Sequence, residues 1–196
     1  MNKSAWTLAS WLLLALPLSS QANAESVGDP NMSKPSFVLS SPQIADGATL
    51  SDKQVYNGFG CSGQNQSPAL QWQGAPAGTK SYALTVYDPD APTGSGWWHW
   101  VLFNIPAQTQ GLPAQITAAG QGRPAGTVQS QTDFGQPGFG GACPPVGDKP
   151  HRYQFTLHAL KVARLDLPAS SMPALVGFMI HANELASTRF TAYYSR

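Results

Sequence analysis

Charged side chains are scarce in this sequence. They make up 11% of its 196 residues, and the two signs nearly cancel, with 11 Lys and Arg against 10 Asp and Glu. No basic run occurs, which argues against a nucleic-acid partner and against adsorption to anionic lipid. The G-x-S-x-G motif, which presents the nucleophile in many hydrolases, is also missing. The composition therefore favours a non-catalytic protein whose charged partners are not steered from long range.

A long hydrophobic run is missing as well. The apolar stretch from Trp6 to Leu18 is broken by Pro17 and falls short of the roughly 20 residues that a membrane-spanning helix needs. With Lys3 before it and Ala22-Asn23-Ala24 after it, the stretch has the pattern of an export signal. We expect residues 1–24 to be a signal peptide that is cleaved, and the mature protein to be periplasmic or secreted. Cleavage would remove one lysine and leave a mature chain with no net charge.

Cysteine is rare, since Cys61 and Cys143 are the only two. Export would place them where disulfides persist, so we expect one bridge between them. The alternative is two buried free thiols, because cysteine also serves as a small core residue. On the chain-entropy model, a bridge across a separation of 82 residues stabilises the fold by about 4 to 5 kcal/mol.

The polar segment 25–36 is expected to be a flexible lead to one folded domain over residues 37–196. In that domain, short runs rich in β-branched and aromatic residues alternate with turn residues, which predicts a mainly β protein. The predicted strands are Phe37–Ser40, Ser81–Tyr87, Trp100–Ile105, Thr127–Thr132, Tyr153–Lys161 and Arg189–Tyr194.

Two segments are clearly periodic. Apolar and polar residues alternate in Tyr153–His158, so Phe155 and Leu157 are predicted to point into the core. From Leu175 to Leu185 the apolar spacing becomes helical, and a proline stands near a plausible start. One peripheral helix is therefore predicted over Pro173–Ser187, and a second short helix remains open.

Glycine and proline fill eight of the thirteen positions in residues 135–147. Such a segment is neither a regular strand nor a helix, and a flexible linker is one interpretation of it. The paired prolines, Phe139 and Cys143 would stiffen it, so an ordered surface loop is favoured.

Three titratable residues stand at the ends of predicted strands. Asp88 directly follows one strand, while His99 and His151 directly precede two others. If sequential strands pair as neighbours, the three side chains meet at one edge of a sheet. A carboxylate beside two imidazoles can hold the imidazoles protonated or in a fixed tautomer, which suits an anionic ligand. Backbone N–H groups of the glycine-rich loop would add further donors.

These residues also carry a family resemblance. The chain resembles the phosphatidylethanolamine-binding proteins, and in particular their bacterial Raf-kinase-inhibitor-like branch, over roughly residues 37–194. The resemblance rests on Asp88-Pro-Asp-Ala-Pro92, on His99 within Trp98-His-Trp100, on Asn104, on Cys143-Pro-Pro-x-Gly147 and on His151-Arg-Tyr153, with Gly94-Ser-Gly-Trp-Trp-His99 and Thr132-Asp-Phe-Gly135 pointing to the bacterial branch.

The resemblance implies a β-sandwich whose pocket takes phosphate, phosphorylated headgroups such as phosphoethanolamine, or similar small anions, without a cofactor. The pocket would comprise Asp88, Pro92, His99, Gly141, Cys143, Pro144, His151 and Tyr153. In this expectation Asp88 orients an imidazole, the two histidines and loop N–H groups face the anion, and Asp90 braces the turn. Cys143 stands where the family's loop commonly has glycine, so a disulfide beside the pocket would help to fix the loop.

Three other functions are compatible with some of these residues. Two histidines and a carboxylate match a metal triad in ligand type, although no helical H-x-x-x-H spacing supports a metal. A hydrolase would use an Asp–His pair as a general base, with Cys143 as nucleophile only if it were a free thiolate. An inhibitor of a protease or kinase, or a host-interaction protein, would bind a protein partner through Trp97 and Trp98 if these rings were exposed, although core packing is favoured for either ring.

Overall fold

The structure, a computed structural model, describes residues 36–196. The expected signal peptide, residues 1–24, and almost all of the expected lead therefore lie outside the described residues. The described part contains β1 (Val38–Ser40), a 3-10 helix (Asp52–Gln54), β2 (Asn57–Gly58), β3 (Cys61–Ser62), β4 (Leu70–Gln73), β5 (Ser81–Asp88), β6 (Trp97–Pro106), β7 (Gly111–Leu112), β8 (Val128–Gln129), β9 (His151–Leu160), α1 (Pro173–Asn183) and β10 (Glu184–Tyr194).

Two antiparallel sheets form the body of the domain. The larger has five strands in the order β10-β9-β5-β6-β8, and the smaller has three in the order β1-β4-β7. Strand β5 lies at the centre of the larger sheet and is buried along almost its whole length. This explains its apolar sequence, because a central strand that is covered on both faces needs few polar side chains.

The main hydrophobic core lies between the two sheets. Leu39, Leu70 and Trp72 come from the smaller sheet and pack with the inward-facing side chains of the larger sheet. Phe155 and Leu157 are fully buried, as the alternation along β9 predicted. Burial of each such side chain stabilises the fold by about 1.5 to 3 kcal/mol. The predicted β-sandwich is confirmed.

Helix α1 covers the other face of the larger sheet. Its Val176 and Ile180 pack with Val101 and Phe103 of β6 in a second, smaller cluster. The helix begins with a proline in its first turn, as predicted. No helix among residues 36–196 has the length and apolar character needed to span a bilayer.

The predicted end of the helix is wrong. It was placed at Ser187, but the helix ends at Asn183 and Glu184 already has extended backbone. From Glu184 onward the chain pairs with β9, in the register Glu184 to Leu160. The apolar spacing through Leu185 resembles a helix by coincidence, because strand pairing in the folded domain overrides a local pattern.

Three strand boundaries also differ from prediction, and they matter for the site. Strand β6 begins at Trp97, β9 begins at His151 and β10 begins at Glu184, each before its predicted start. His99 therefore lies inside β6, His151 is the first residue of β9, and Asp88 is the last residue of β5 instead of following it. The predicted strand Thr127–Thr132 is reduced to Val128–Gln129, and strands β2, β3, β4 and β7 were not predicted.

Candidate functional site

One edge of the larger sheet collects the end of β5 and the beginnings of β6 and β9. Asp88 pairs with Trp97 across β5 and β6, and Tyr87 pairs with Gln154 across β5 and β9. Because both pairings are antiparallel, the carboxyl end of β5 lies beside the amino ends of its neighbours. The expected meeting of Asp88, His99 and His151 at one edge is confirmed.

These side chains line a cavity of about 200 Å³, which we call the edge cavity. Seven of the eight residues expected in the pocket line it, and Gly141 does not. Its lining is Phe59, Asp88, Ala91, Pro92, Thr93, Trp97, His99, Phe134, Cys143, Pro144, Pro145, His151 and Tyr153. Most of this surface is apolar, so the few polar atoms decide what the cavity can bind.

Asp88 fixes the ring of His151. Its Oδ2 lies 2.7 Å from Nδ1 of His151, and both side chains are almost fully buried. Its Oδ1 accepts a hydrogen bond of 2.8 Å from the backbone N–H of Asp90, which closes the turn after β5. The other ring nitrogen of His151, Nε2, lies 3.3 Å from Oδ2 of the more exposed Asp148. Since a carboxylate only accepts, Nδ1 donates to Asp88, and this contact fixes the orientation of the ring.

His99 is held differently, by backbone. Its Nδ1 lies 2.7 Å from the carbonyl oxygen of Gly140, and the N–H of Gly140 donates to the carbonyl of His99 at 2.8 Å. A carbonyl only accepts, so Nδ1 carries the proton. Burial lowers the pKa of His99, outweighing the Gly140 hydrogen bond and the nearby Asp88 charge, which raise it. The ring is therefore neutral at pH 7, with Nε2 unprotonated and able to accept.

Tyr153 supplies a hydroxyl whose partner is absent. The residue is 2% exposed, and its hydroxyl has no hydrogen-bond partner within the described part of the chain. Burial, and to a lesser degree the charge of Asp88, raise the pKa of this phenol, so the hydroxyl stays protonated. An unpaired hydroxyl in a buried site is costly, and a bound ligand would relieve that cost.

An aromatic wall was missed by sequence reasoning. The ring of Phe134 lies 5.4 Å from the rings of both Trp97 and His99, and 5.9 Å from that of Phe59. Trp97, which could anchor a protein partner only if it were exposed, is half-buried in this wall. Asp133 places Phe134, because its Oδ2 accepts the backbone N–H of Trp98 at 2.8 Å. The Thr132-Asp-Phe-Gly135 motif was the available signal.

Two amides of the glycine-rich loop, those of Gly141 and Ala142, bond to the protein itself. The N–H of Gly141 donates to Oδ1 of Asn65 at 2.7 Å, and that of Ala142 donates to the carbonyl of Gln54 at 3.0 Å. Gly141 lies against the backbone of Gln54 and Tyr56, where a Cβ atom would collide with it. The loop N–H groups were expected to face the anion. For Gly141 this expectation is corrected, because its N–H already donates a hydrogen bond to Asn65.

A disulfide and hydrogen bonds from Arg196 hold the mouth of the edge cavity, which is the segment Cys143–Pro145 together with the adjoining β2–β3 hairpin. A disulfide joins Cys61 and Cys143, with their Cα atoms 6.0 Å apart, as expected. The guanidinium of Arg196 donates to the carbonyl oxygens of Pro144 and of Gly60, the latter at 3.0 Å. These ties connect the β2–β3 hairpin with the loop that carries two of the cavity's prolines.

Asp90 braces the turn that follows β5. Its Oδ2 accepts hydrogen bonds from the backbone N–H of Arg152 at 2.9 Å and from its Nε at 2.8 Å. The side-chain hydrogen bond from Arg152 lowers the pKa of Asp90, although burial opposes it. Asp90 is therefore committed to β9 and not to the cavity.

A metal centre receives no geometric support. Among residues 36–196, no group of three or more His, Cys, Asp and Glu side chains is placed to hold an ion. Nδ1 of His99 faces a carbonyl, and His151 is engaged at both ring nitrogens. The ligand types match a triad, but the nitrogens do not converge as ligands do.

Comparison with known proteins is consistent with this geometry. The family described as "Phosphatidylethanolamine-binding protein" matches residues 40–195. UPF0098 protein YbcL of Escherichia coli is 52% identical over 159 residues, 81% of this chain and 87% of that protein. UPF0098 protein YbhB of the same species is 49% identical over 157 residues, 80% of this chain and 99% of that protein.

A solved structure and a more distant relative extend the comparison. The crystal structure of E. coli YbcL, described as a new member of the mammalian PEBP family, matches with a TM-score of 0.81 over 82% of this chain and 98% of that one. A putative lipoprotein of Mycobacterium tuberculosis, LppC, is 38% identical over 67% of this chain and 59% of its own length. The chain belongs to the phosphatidylethanolamine-binding protein family.

Proposed function

We propose that this protein binds a small phosphate-bearing anion, such as phosphate or phosphoethanolamine, in the edge cavity and does not transform it. The observation that carries the proposal is Tyr153, which lines the cavity and whose buried hydroxyl has no hydrogen-bond partner among the described residues. Such a group is stabilised when a ligand oxygen accepts its proton.

The polar atoms of the cavity define the ligand. Tyr153 offers a hydroxyl donor, and Nε2 of His151 offers a second donor when the ring is protonated and the ligand displaces Asp148. Neutral His99 offers an acceptor at Nε2. A phosphate group that retains one proton satisfies all three, because it has acceptor oxygens and one O–H donor. The apolar wall suits the carbon chain of a phosphorylated headgroup.

The same atoms favour binding over hydrolysis. The only sulfur in the cavity, that of Cys143, is in a disulfide, so it has no thiolate with which to attack a substrate. The carboxylate of Asp88 is occupied by His151 and by the backbone of its own turn. A protein partner remains the alternative function, although no feature of the described surface identifies one.

We also propose that the protein acts outside the cytoplasm after loss of residues 1–24. The export pattern, the disulfide and the lipoprotein name of one relative support this location. Mass spectrometry of the periplasmic fraction should find a chain that begins at Glu25. A full-length chain confined to the cytoplasm would contradict the proposal.

Titration calorimetry with phosphoethanolamine tests the anion site. Hydrogen bonds to a charged ligand are worth about 1.5 to 3 kcal/mol each, so His99→Ala or His151→Ala should weaken binding by roughly tenfold to a hundredfold. His181→Ala is the control, because His181 is exposed on α1 and does not line the edge cavity. Equal affinities for the wild type and both pocket variants would refute the proposal.

A further inference from the structure

A second cavity, of about 270 Å³, lies on the other side of the aromatic wall. It is bounded by the segments 65–67, 115–118 and 132–140, and we call it the amide cavity. No charged residue lines it. Its polar side chains are amides and hydroxyls, contributed by Tyr56, Asn65, Gln66, Ser67, Gln115, Thr117, Thr132 and Gln136.

The amide cavity is built from residues in unusual conformations. Asn65 and Gln115 both have left-handed backbone, with φ of 52° and 62°, which is uncommon outside glycine. Asn65 is held on both sides, donating to the carbonyl of Phe139 at 3.3 Å and accepting from Gly141. Gln115 donates to Oε1 of Gln66 at 3.2 Å. Backbone strain of this kind is found at functional sites, where surrounding structure holds it in place.

The lining determines which ligand would fit. A charged ligand would leave water without finding an opposite charge, and an apolar ligand would displace water from the amides of Gln66 and Gln136, which keep groups without a protein partner among the described residues. Amide side chains both donate and accept hydrogen bonds, which suits a ligand with many hydroxyl groups. The rings of Tyr56, Phe134 and Phe139 add apolar surface for the carbon face of such a ligand.

We propose that the amide cavity is a second binding site, for an uncharged and hydroxyl-rich group such as a pyranose sugar. It does not depend on anion binding in the edge cavity. The two sites are nevertheless neighbours, since Phe134 lines both cavities. Gly140 lines the amide cavity and its carbonyl oxygen fixes the tautomer of His99 in the other.

Nuclear magnetic resonance of the 15N-labelled protein tests this site. The probes are glucose, N-acetylglucosamine and maltose, each added to saturation or to its solubility limit. At least one of them should shift the side-chain amide signals of Asn65, Gln66, Gln115 and Gln136 along a saturable curve. Gln66→Ala and Gln136→Ala should each weaken that binding by about two- to tenfold, as expected for one neutral hydrogen bond.

Gln73→Ala is the matched control, because Gln73 is an exposed glutamine on β4 that does not line the amide cavity. It should leave the sugar affinity unchanged, and thermal unfolding of all three variants should match the wild type. The proposal is overturned if no sugar gives a saturable shift of the four amide signals, or if Gln73→Ala has the same effect as the other two variants. Phosphoethanolamine binding, measured on the same samples, shows separately whether the edge cavity is intact.

Discussion

At the scale of single residues, the edge cavity contains polar atoms of two kinds. Asp88, Nδ1 of His99 and Nδ1 of His151 are bound to the protein itself and are not free to meet a ligand. Tyr153 and His99 both line the edge cavity, and within the described residues neither the Tyr153 hydroxyl nor Nε2 of His99 has a hydrogen-bond partner. The residues that attract attention in the sequence thus position the site, and a tyrosine inside β9 offers its clearest unpaired donor.

Replacement of Tyr153 by phenylalanine should separate binding from stability. The substitution removes a buried hydroxyl that has no partner among the described residues, so the free energy of unfolding should stay within about 1 kcal/mol of the wild type or rise. Phosphoethanolamine affinity should fall by roughly tenfold, because a hydrogen bond to a charged ligand is lost. Urea unfolding and calorimetry measure the two quantities. Unchanged affinity would show that the hydroxyl does not face the ligand.

The affinity of the edge cavity should depend on pH through His99. Because burial lowers the pKa of His99, its Nε2 is unprotonated at neutral pH and binds an anion only if a proton is present, on the ligand or on the ring. Phosphoethanolamine loses its second phosphate proton near about pH 6. Its affinity should therefore decline as pH rises above that value, by at most about tenfold per unit. Asp88 and His151 also line the cavity and Asp148 contacts His151, so the dependence belongs to the whole group.

Calorimetry between about pH 6 and about pH 8 measures this dependence. In buffers of different ionisation enthalpy, proton uptake should accompany binding at the upper end of the range. Sulfate, which carries no proton there, should bind more weakly than phosphoethanolamine. His181→Ala should retain the wild-type profile, and an affinity that is flat or rises with pH would contradict the neutral state of His99.

At the scale of elements, most of the large sheet could be predicted and the small sheet could not. β5 has an apolar run and β9 has alternating apolar and polar residues, and these patterns predict both strands. β4 has only four residues, and its sequence Leu70-Gln-Trp-Gln73 alternates too briefly to be distinguished from loop. The helix was predicted to end too late, at Ser187, for a similar reason. The Glu184–Ser187 segment becomes a strand because it pairs with β9, and this pairing is not visible in the local sequence.

The junction between α1 and β10 carries an acid-sensitive ion pair. Nδ1 of His158 bonds to the carboxylate of Glu184, and its Nε2 lies 3.2 Å from the hydroxyl of Thr85. The hydrogen bond from His158 lowers the pKa of Glu184, although partial burial opposes it. Three strands, β5, β9 and β10, are thereby connected on the face opposite the main core.

Glu184→Gln should reduce the acid sensitivity of folding. A carboxyl group with a lowered folded-state pKa stabilises the fold above its unfolded value, about 4.3, and this stabilisation is lost as pH falls through the folded value. Between roughly pH 5 and pH 3 the wild type should therefore lose more unfolding free energy than Glu184→Gln. Urea unfolding at several pH values measures the difference.

Asp166→Asn is the matched control, since the ion pair of Asp166 with Arg164 lies almost entirely in solvent. Surface pairs of this kind contribute little, so the control should follow the wild-type acid profile. If Glu184→Gln and the wild type lose the same free energy on acidification, the His158 contact does not stabilise the carboxylate.

At the scale of the whole molecule, the position of the site was predictable because it depends on topology. Antiparallel pairing of successive strands is enough to bring Asp88, His99 and His151 to one edge. The detailed contacts of the site were not predictable. The amide of Gly141 and the ring of Phe134 contact residues that lie far away in the sequence, Asn65 and His99. Asn65 binds Gly141 across 76 residues, and no local pattern of the sequence reveals such a contact.

The disulfide between Cys61 and Cys143 ties together regions separated by 82 residues, and its removal should be felt in two ways. On the chain-entropy model, the double variant Cys61→Ser with Cys143→Ser should lose about 4 to 5 kcal/mol of unfolding free energy, measured in guanidinium chloride. Hydrogen exchange should quicken in the β2–β3 hairpin and in residues 143–147, whereas β5 and β9, which are buried in the core, should stay protected.

The same double variant should bind phosphoethanolamine more weakly than the wild type. Arg196 still contacts Pro144 and Gly60 in that variant, so the edge cavity should loosen without disappearing, and phosphoethanolamine affinity should fall less than in His151→Ala. As a control for the starting state, unreduced and denatured wild-type protein should contain no thiol that reacts with an alkylating reagent. Equal stability of the double variant and the wild type would mean that the bridge constrains neither the unfolded chain nor the cavity mouth.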